Sequence, residues 1–256
     1  MKFAFILMLT ALSVATLAAP PKREYYEIRI YTFKDKSQEE AIDKFLKGSL
    51  IPALHRASVP TVGVFKPVES DSTYGKRIYV LIPYSTLDQY AKVPQDLLND
   101  KQYSASGAEY LDAPFNTPPY TRMQSILVQA FKGMPKMEVP KLTGPKEERI
   151  YELRSYESHT EKIARNKVQM FNDGDEVGLF KRLGFNAVFY GEVLAGSKMP
   201  NLMYMTTFEN KAARDEHWKS FSNDPQWKVL SKQPEYQNNV SKNEQLFLRP
   251  TEYSEI

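Results

Sequence analysis

The chain has 256 residues, no cysteine, and 34 basic against 31 acidic side chains, for a formal charge of +3. So even a balance excludes the concentrated basic field that a nucleic-acid surface needs. The absence of cysteine excludes thiolate metal ligands, cysteine nucleophiles and disulfide staples, so stability must come from a buried core.

Met1 and Lys2 open the chain with a short positive head, and Phe3 to Leu17 is an almost unbroken apolar run followed by Ala18, Ala19, Pro20 and Pro21. Charge, apolar core and small residues in that order predict a secretory signal peptide over residues 1–18, with the cut after Ala18. An uncleaved anchor is the alternative, but the run falls short of the ~20 residues that a spanning helix needs. Export then makes the periplasm the expected destination, with release to the medium as the alternative. No membrane association is expected after the cut.

A strand over Glu24–Phe33 opens the body of the chain, rich in aromatic and β-branched residues. A helix follows, with Ser37 and Glu40 spaced as a capping box and Ile42, Phe45, Leu46 and Leu50 at helical intervals. Strands at about 60–69 and 76–84, a helical stretch at Thr86–Asn99 and a strand at Arg122–Phe131 complete a first unit over 24–131. The three prolines of Ser104–Pro119 predict a long surface loop.

Lys132 to Glu147 has linker composition, with three prolines, two glycines and no apolar periodicity. The same order of elements then returns over 148–250. Tyr26-Glu27-Ile28-Arg29-Ile30-Tyr31 recurs 125 residues later as Tyr151-Glu152-Leu153-Arg154-Ser155-Tyr156. Val64-Phe65 recurs as Val188-Phe189, Tyr79 is matched with Tyr204, and Asn99–Tyr103 with Asn223–Trp227. Four landmarks in register within one residue predict two copies of one unit. The helix expected from His159 to Leu183 stops at Gly184, and the NDGDEVG stretch at 172–178 predicts a break inside it. Strands at 185–194 and 201–208, a helix at Lys211–Phe221 and a strand at Glu244–Arg249 follow. The fold class is therefore α+β, two tandem ferredoxin-like β-α-β-β-α-β units whose bare sheet faces close on each other as a pseudo-dimeric α/β barrel.

The Tyr151–Tyr156 segment resembles the YELRTY opening of the NIPSNAP family, and Arg214 to Trp227 (RDEHWKSFSNDPQW) resembles that family's helix followed by an Asp-Pro-x-Trp element. The first unit keeps YEIRIY but has Tyr90 and Tyr103 where the second motif has other aromatics. The resemblance implies a dimeric α/β-barrel fold formed within one chain. It implies little chemistry, since that superfamily includes monooxygenases, haem enzymes and binding proteins.

Strand alternation sorts Glu27, Arg29 and Tyr31 onto one face and Tyr26, Ile28 and Ile30 onto the other, with Glu152, Arg154 and Tyr156 as the second copy. The more apolar face is expected on the helices, which turns both Glu-x-Arg-x-Tyr faces into the barrel as candidate ligand-binding residues. The competing reading is a structural network, each Glu paired with Arg. His55, His159 and His217 are the only histidines and show no metal-ligand spacing, so no metal is predicted. His217, inside the RDEHW motif, is a further candidate, as haem ligand or general base, against a capping or helix-surface role. No cofactor is predicted, haem being the alternative. The expected function is binding of a small acidic or aromatic ligand in the barrel interior. Its alternatives are a cofactor-independent or haem-using oxidoreductase and a non-catalytic interaction protein, with a homo-oligomer as a further expectation.

Overall fold

The computed structural model describes residues 21–256, so the expected signal peptide lies outside the described residues. The chain traces β-α-β-β-α-β twice. The first pass comprises β1 (Tyr25–Thr32), α1 (Lys36–Phe45), a π turn at Leu46–Leu50, α2 (Ile51–Arg56), β2 (Gly63–Pro67), β3 (Arg77–Tyr84), α3 (Leu87–Asn99), α4 (Lys101–Leu111) and β4 (Arg122–Ala130). The second comprises β5 (Ile150–Glu157), α5 (Glu161–Asn172), α6 (Glu176–Arg182), β6 (Phe189–Ala195), β7 (Asn201–Phe208), α7 (Lys211–Asn223), α8 (Pro225–Leu230) and β8 (Lys242–Pro250).

All eight strands join one closed antiparallel barrel in the order β1-β3-β2-β8-β5-β7-β6-β4. Each pass supplies four neighbouring strands. The two seams between passes are β2 on β8 (Phe65 opposite Pro250) and β4 on β6 (Val128 opposite Val193). Closure satisfies every edge that an open four-stranded sheet would leave bare.

Two local expectations change, and a third holds. The N-cap of α1 is Asp35, whose carboxylate accepts from Gln38 N at 3.0 Å, so Ser37 lies inside the helix and does not cap it. Residues 104–111 are helical: Asp100 caps α4 through Tyr103 N, and the helix-favouring Ala105, Ala108 and Leu111 outweigh the prolines, which all fall after Asp112. The break foreseen in the second unit's long helix occurs between α5 and α6, and the chain turns out of α6 through Gly184 at φ +72°, a conformation open to glycine.

The core has three layers. Tyr31, Ile42, Leu50, Ile78, Val80 and Tyr84 pack between the first four strands and their helices. Phe171, Phe180, Phe185, Tyr190, Tyr204 and Phe221 do the same in the second half. Between them, inside the barrel, Tyr26, Ile28, Ile30, Phe65, Leu81, Val128, Tyr151, Leu153, Met203, Met205 and Leu248 converge from both passes.

Candidate functional site

The interior layer reverses the expected orientation of the opening strands. Tyr26, Ile28 and Ile30 of β1, and Tyr151 and Leu153 of β5, face the barrel axis. Glu27, Arg29 and Tyr31, with Glu152, Arg154 and Tyr156, face outward under the helices instead. The physical reason is that both faces are buried. An eight-stranded barrel is just wide enough for side chains to fill, so its axis takes the less polar set of each opening strand. The helix side is deep enough for charged groups to meet polar partners there.

Those partners are specific. Glu27 is 5% exposed and accepts from Arg29 Nε (3.1 Å) and Nη2 (3.0 Å), from Tyr84 Oη (3.1 Å) and from Ser125 Oγ (2.9 Å). Burial disfavours the Arg29 charge, but the neighbouring Tyr31 and Glu27 more than offset it and hold its pKa above the ordinary arginine value. Tyr31 packs edge-on against Tyr120 in the first helix layer.

In the second half, Glu152 is fully buried and accepts from Arg154 Nε (2.6 Å), Arg214 Nε (2.7 Å) and Nη2 (2.9 Å), and Trp218 Nε1 (2.8 Å). Arg154 spends its other nitrogens on Tyr156 Oη (2.7 Å) and Gln245 Oε1 (3.1 Å), and its guanidinium lies 4.1 Å from the Trp218 ring centroid. Here too burial opposes the charge while Tyr204, Tyr156 and Glu152 raise the pKa. Beneath this lies a second buried ion pair, Lys167 Nζ to Glu176 Oε2 at 3.0 Å. Burial pushes the Glu176 pKa up despite the lysine beside it. Glu27, Arg29 and Tyr31 are thus together in one layer, Glu152, Arg154 and Tyr156 in the other, with the barrel wall between the two sets.

His217 joins neither set. Its Nδ1 donates to the carbonyl of Leu183 at 2.7 Å, just past the end of α6, and its ring packs against Phe185 and Phe208. That is the capping role.

The interior itself is unevenly filled. At one end Tyr26 packs on Phe189 (centroids 5.2 Å apart), Phe65 packs on Tyr151 (5.0 Å), and Ile256 is tucked in beside them. At the other end a cavity of about 460 Å³ opens, lined by residues of β1, β3, β4, β5, β7 and β8 and by the β2–β3 and β6–β7 turns. Ile30, Ile126, Leu153, Met203 and Leu246 form its walls, and Arg77, Tyr79, Ser155 and Asn201 are among its polar groups. Asn201 is 5% exposed; its Nδ2 donates to Ser155 Oγ at 2.8 Å, while its Oδ1 has no partner. Arg77 Nη1 reaches the Tyr79 hydroxyl at 3.4 Å, and burial, partly offset by Arg77, raises the Tyr79 pKa and keeps that hydroxyl protonated. Burial reasoning from the sequence missed Arg77 and Asn201. The signal was available: each is the first residue of a strand whose alternate positions are apolar.

Residues 151–255 match the NIPSNAP family model. The second half of the chain is a NIPSNAP domain. Among solved structures, a protein from Lactobacillus acidophilus provisionally named a monooxygenase superposes with a TM-score of 0.58 at 10% identity, over 89% of this chain and 94% of that one. One from Fusobacterium nucleatum with the same provisional name gives 0.53 at 9% identity, over 89% and 92%. A NIPSNAP family protein from Agrobacterium tumefaciens is 19% identical over 41% of this chain and 96% of its own, with a TM-score of 0.37. No curated protein sequence matches. At such identities the likeness is one of fold.

Within the NIPSNAP domain the RDEHWKSFSNDPQW segment acts as a fastener. Arg214 and Trp218 bind Glu152, and Phe221 stacks on Phe180 with centroids 4.8 Å apart. Asp224 caps α8 through Gln226 N and takes both Nη atoms of Arg182 at 3.0 and 2.9 Å. The motif ties α6, α7 and α8 to one another and to the sheet.

Proposed function

We propose that this protein binds a small organic molecule in the open mouth of its barrel, and that the two Glu-Arg-Tyr networks serve to hold the helices on the sheet. The observation that carries the reading is the cavity of about 460 Å³, with an apolar patch of Ile30, Ile126, Leu153, Met203 and Leu246 among polar side chains, and with the buried Asn201 Oδ1 lacking a partner. A concave pocket of that size, with an apolar patch and convergent polar groups, is a usual form of a small-molecule site. The carboxylates of Glu27 and Glu152 already hold four donors each, which leaves them little to offer a ligand. The monooxygenase names of the fold neighbours speak for the fold alone, so binding is the reading that the mouth's own residues support. Export, drawn from the apolar run at residues 3–17, belongs to the same proposal and makes the binder periplasmic.

Native and denatured mass spectra of the protein isolated from its own kind of cell test this. A retained non-covalent mass is expected in the wild-type chain and is expected to disappear in Leu246→Trp, which fills the mouth, with the circular dichroism spectrum unchanged. An adduct that survives the filling substitution would place the ligand elsewhere. The denatured mass reports whether the chain begins at Ala19.

A further inference from the structure

We infer that the ligand of the barrel mouth is an unsymmetrical hydroxy acid, its carboxylate on Arg77 and its hydroxyl on the Asn201 carboxamide; this rests on the reading of the mouth as a binding site. The argument begins with the strand registers. Thr32 of β1 stands opposite Arg77 of β3, and Glu157 of β5 stands opposite Asn201 of β7. Thr32 and Glu157 are corresponding residues of the two passes, each the sixth after the opening Tyr26 or Tyr151. Arg77 and Asn201 therefore occupy the same position of the two units and face each other across the pseudo-twofold axis of the barrel. One side of the mouth presents a cation and the other a neutral amide.

The cation is free. Among the described residues no carboxylate lies within 4.0 Å of the Arg77 guanidinium, whose one side-chain hydrogen bond is the long one to Tyr79 Oη at 3.4 Å. Lys198, the other cation lining the cavity, is paired with Glu244. The nearby Asp71 is engaged with Thr73, through its amide at 2.7 Å and its hydroxyl at 2.5 Å. A planar guanidinium with open donors matches a carboxylate, which can take two of them at once.

The amide side is incomplete in a complementary way. A buried polar atom without a partner is uncommon in a native interior and calls for a group to satisfy it. A hydroxyl suits the Asn201–Ser155 pair in particular, because it can donate to Oδ1 and can also accept from whichever donor faces it. The same cavity is lined by Ile30, Ile126, Leu153 and Leu246, against which a hydrocarbon or aromatic body can pack.

Isothermal titration with 4-hydroxybenzoate, benzoate and 4-hydroxybenzyl alcohol tests the assignment. 4-Hydroxybenzoate is expected to bind at least about tenfold more tightly than either partial analogue. Arg77→Leu should reduce its affinity to that of the alcohol, and Asn201→Leu to that of benzoate, with melting curves confirming that each variant folds. Should Asn201→Leu not fold, the comparison of 4-hydroxybenzoate with benzoate on wild-type protein and Arg77→Leu, whose residue is half-buried at the rim, carries the test. Equal affinity for the three probes, all blocked by Leu246→Trp, would overturn the hydroxy-acid assignment and leave the mouth as a site. Binding indifferent to Leu246→Trp would overturn the site itself. No binding of any of the three in the millimolar range would overturn the assignment.

Discussion

Glu152→Ala is the substitution that most directly separates a structural network from a vacant site. Glu152 is fully buried, and its two arginine partners have side chains only 11% and 14% exposed. Removing the carboxylate strands the Arg154 guanidinium and the Trp218 indole N–H where water reaches poorly, and leaves Arg214 only the half-exposed Asp215 (3.0 Å). Breaking a buried ion pair from one side costs about 3–5 kcal/mol. At roughly 2–4 °C per kcal/mol for a chain of this size, that is a fall of about 6–20 °C in Tm. The assay is urea unfolding read by circular dichroism, in which the midpoint should fall at unchanged slope. Glu152→Gln, which keeps the shape and half the acceptors, should fall between. Glu152→Leu combined with Arg154→Met and Arg214→Leu should recover most of the loss, because no charge is then left unpaired. A loss below about 1 kcal/mol for Glu152→Ala would refute the reasoning, since that is the range of an exposed ion pair.

Glu209 accepts from Thr143 N (2.9 Å) and Gly144 N (2.7 Å), and these backbone amides hold its pKa below the ordinary glutamate value. Its hold on the segment between the units is therefore complete above the ordinary glutamate pKa and lost as pH falls through the depressed one. Amide exchange or proteolysis at 143–144, corrected for intrinsic pH dependence, should rise on acidification in wild type and already be high in Glu209→Gln. Gly191→Ala should destabilise by about 1–3 kcal/mol, measured by urea unfolding, because a Cβ there would stand 2.4 Å from Val128 Cγ1 and 2.7 Å from Gln129 O at the β4–β6 seam. Tyr190→Phe should be neutral or slightly stabilising in the same assay, since it removes a buried hydroxyl that has no partner.

Much of the architecture was legible because it is local. Strand alternation, the Gly184 stop and the NDGDEVG break depend on neighbours in the chain. What failed depended on which face looks where. Tyr79 and Tyr204 read as partners, yet Tyr79 stands opposite Ile30 and faces the cavity, whereas Tyr204 stands opposite Arg154 and faces the helices. The true equivalent of Tyr204 is Val80, which stands opposite Arg29, and one residue of slip inverts a side chain's direction. The same ambiguity misplaced both Glu-Arg-Tyr faces, because polarity alone cannot distinguish the apolar middle of the barrel axis from a helix-facing layer that supplies Arg214, Trp218, Tyr84 and Ser125. Arg77 and Asn201 each carry a local signal as the first residue of a strand, but only the registers with Thr32 and Glu157 bring them to one end of the barrel.

The seams of the barrel carry a further consequence. β2 meets β8 and β4 meets β6 within one covalent chain, so neither seam can be lost by separation of subunits. A barrel closed by two chains has a melting temperature that drops on dilution, because unfolding releases two particles. Here the peptide link supplies the partner at a fixed effective concentration, and the barrel should stay shut however dilute its surroundings become.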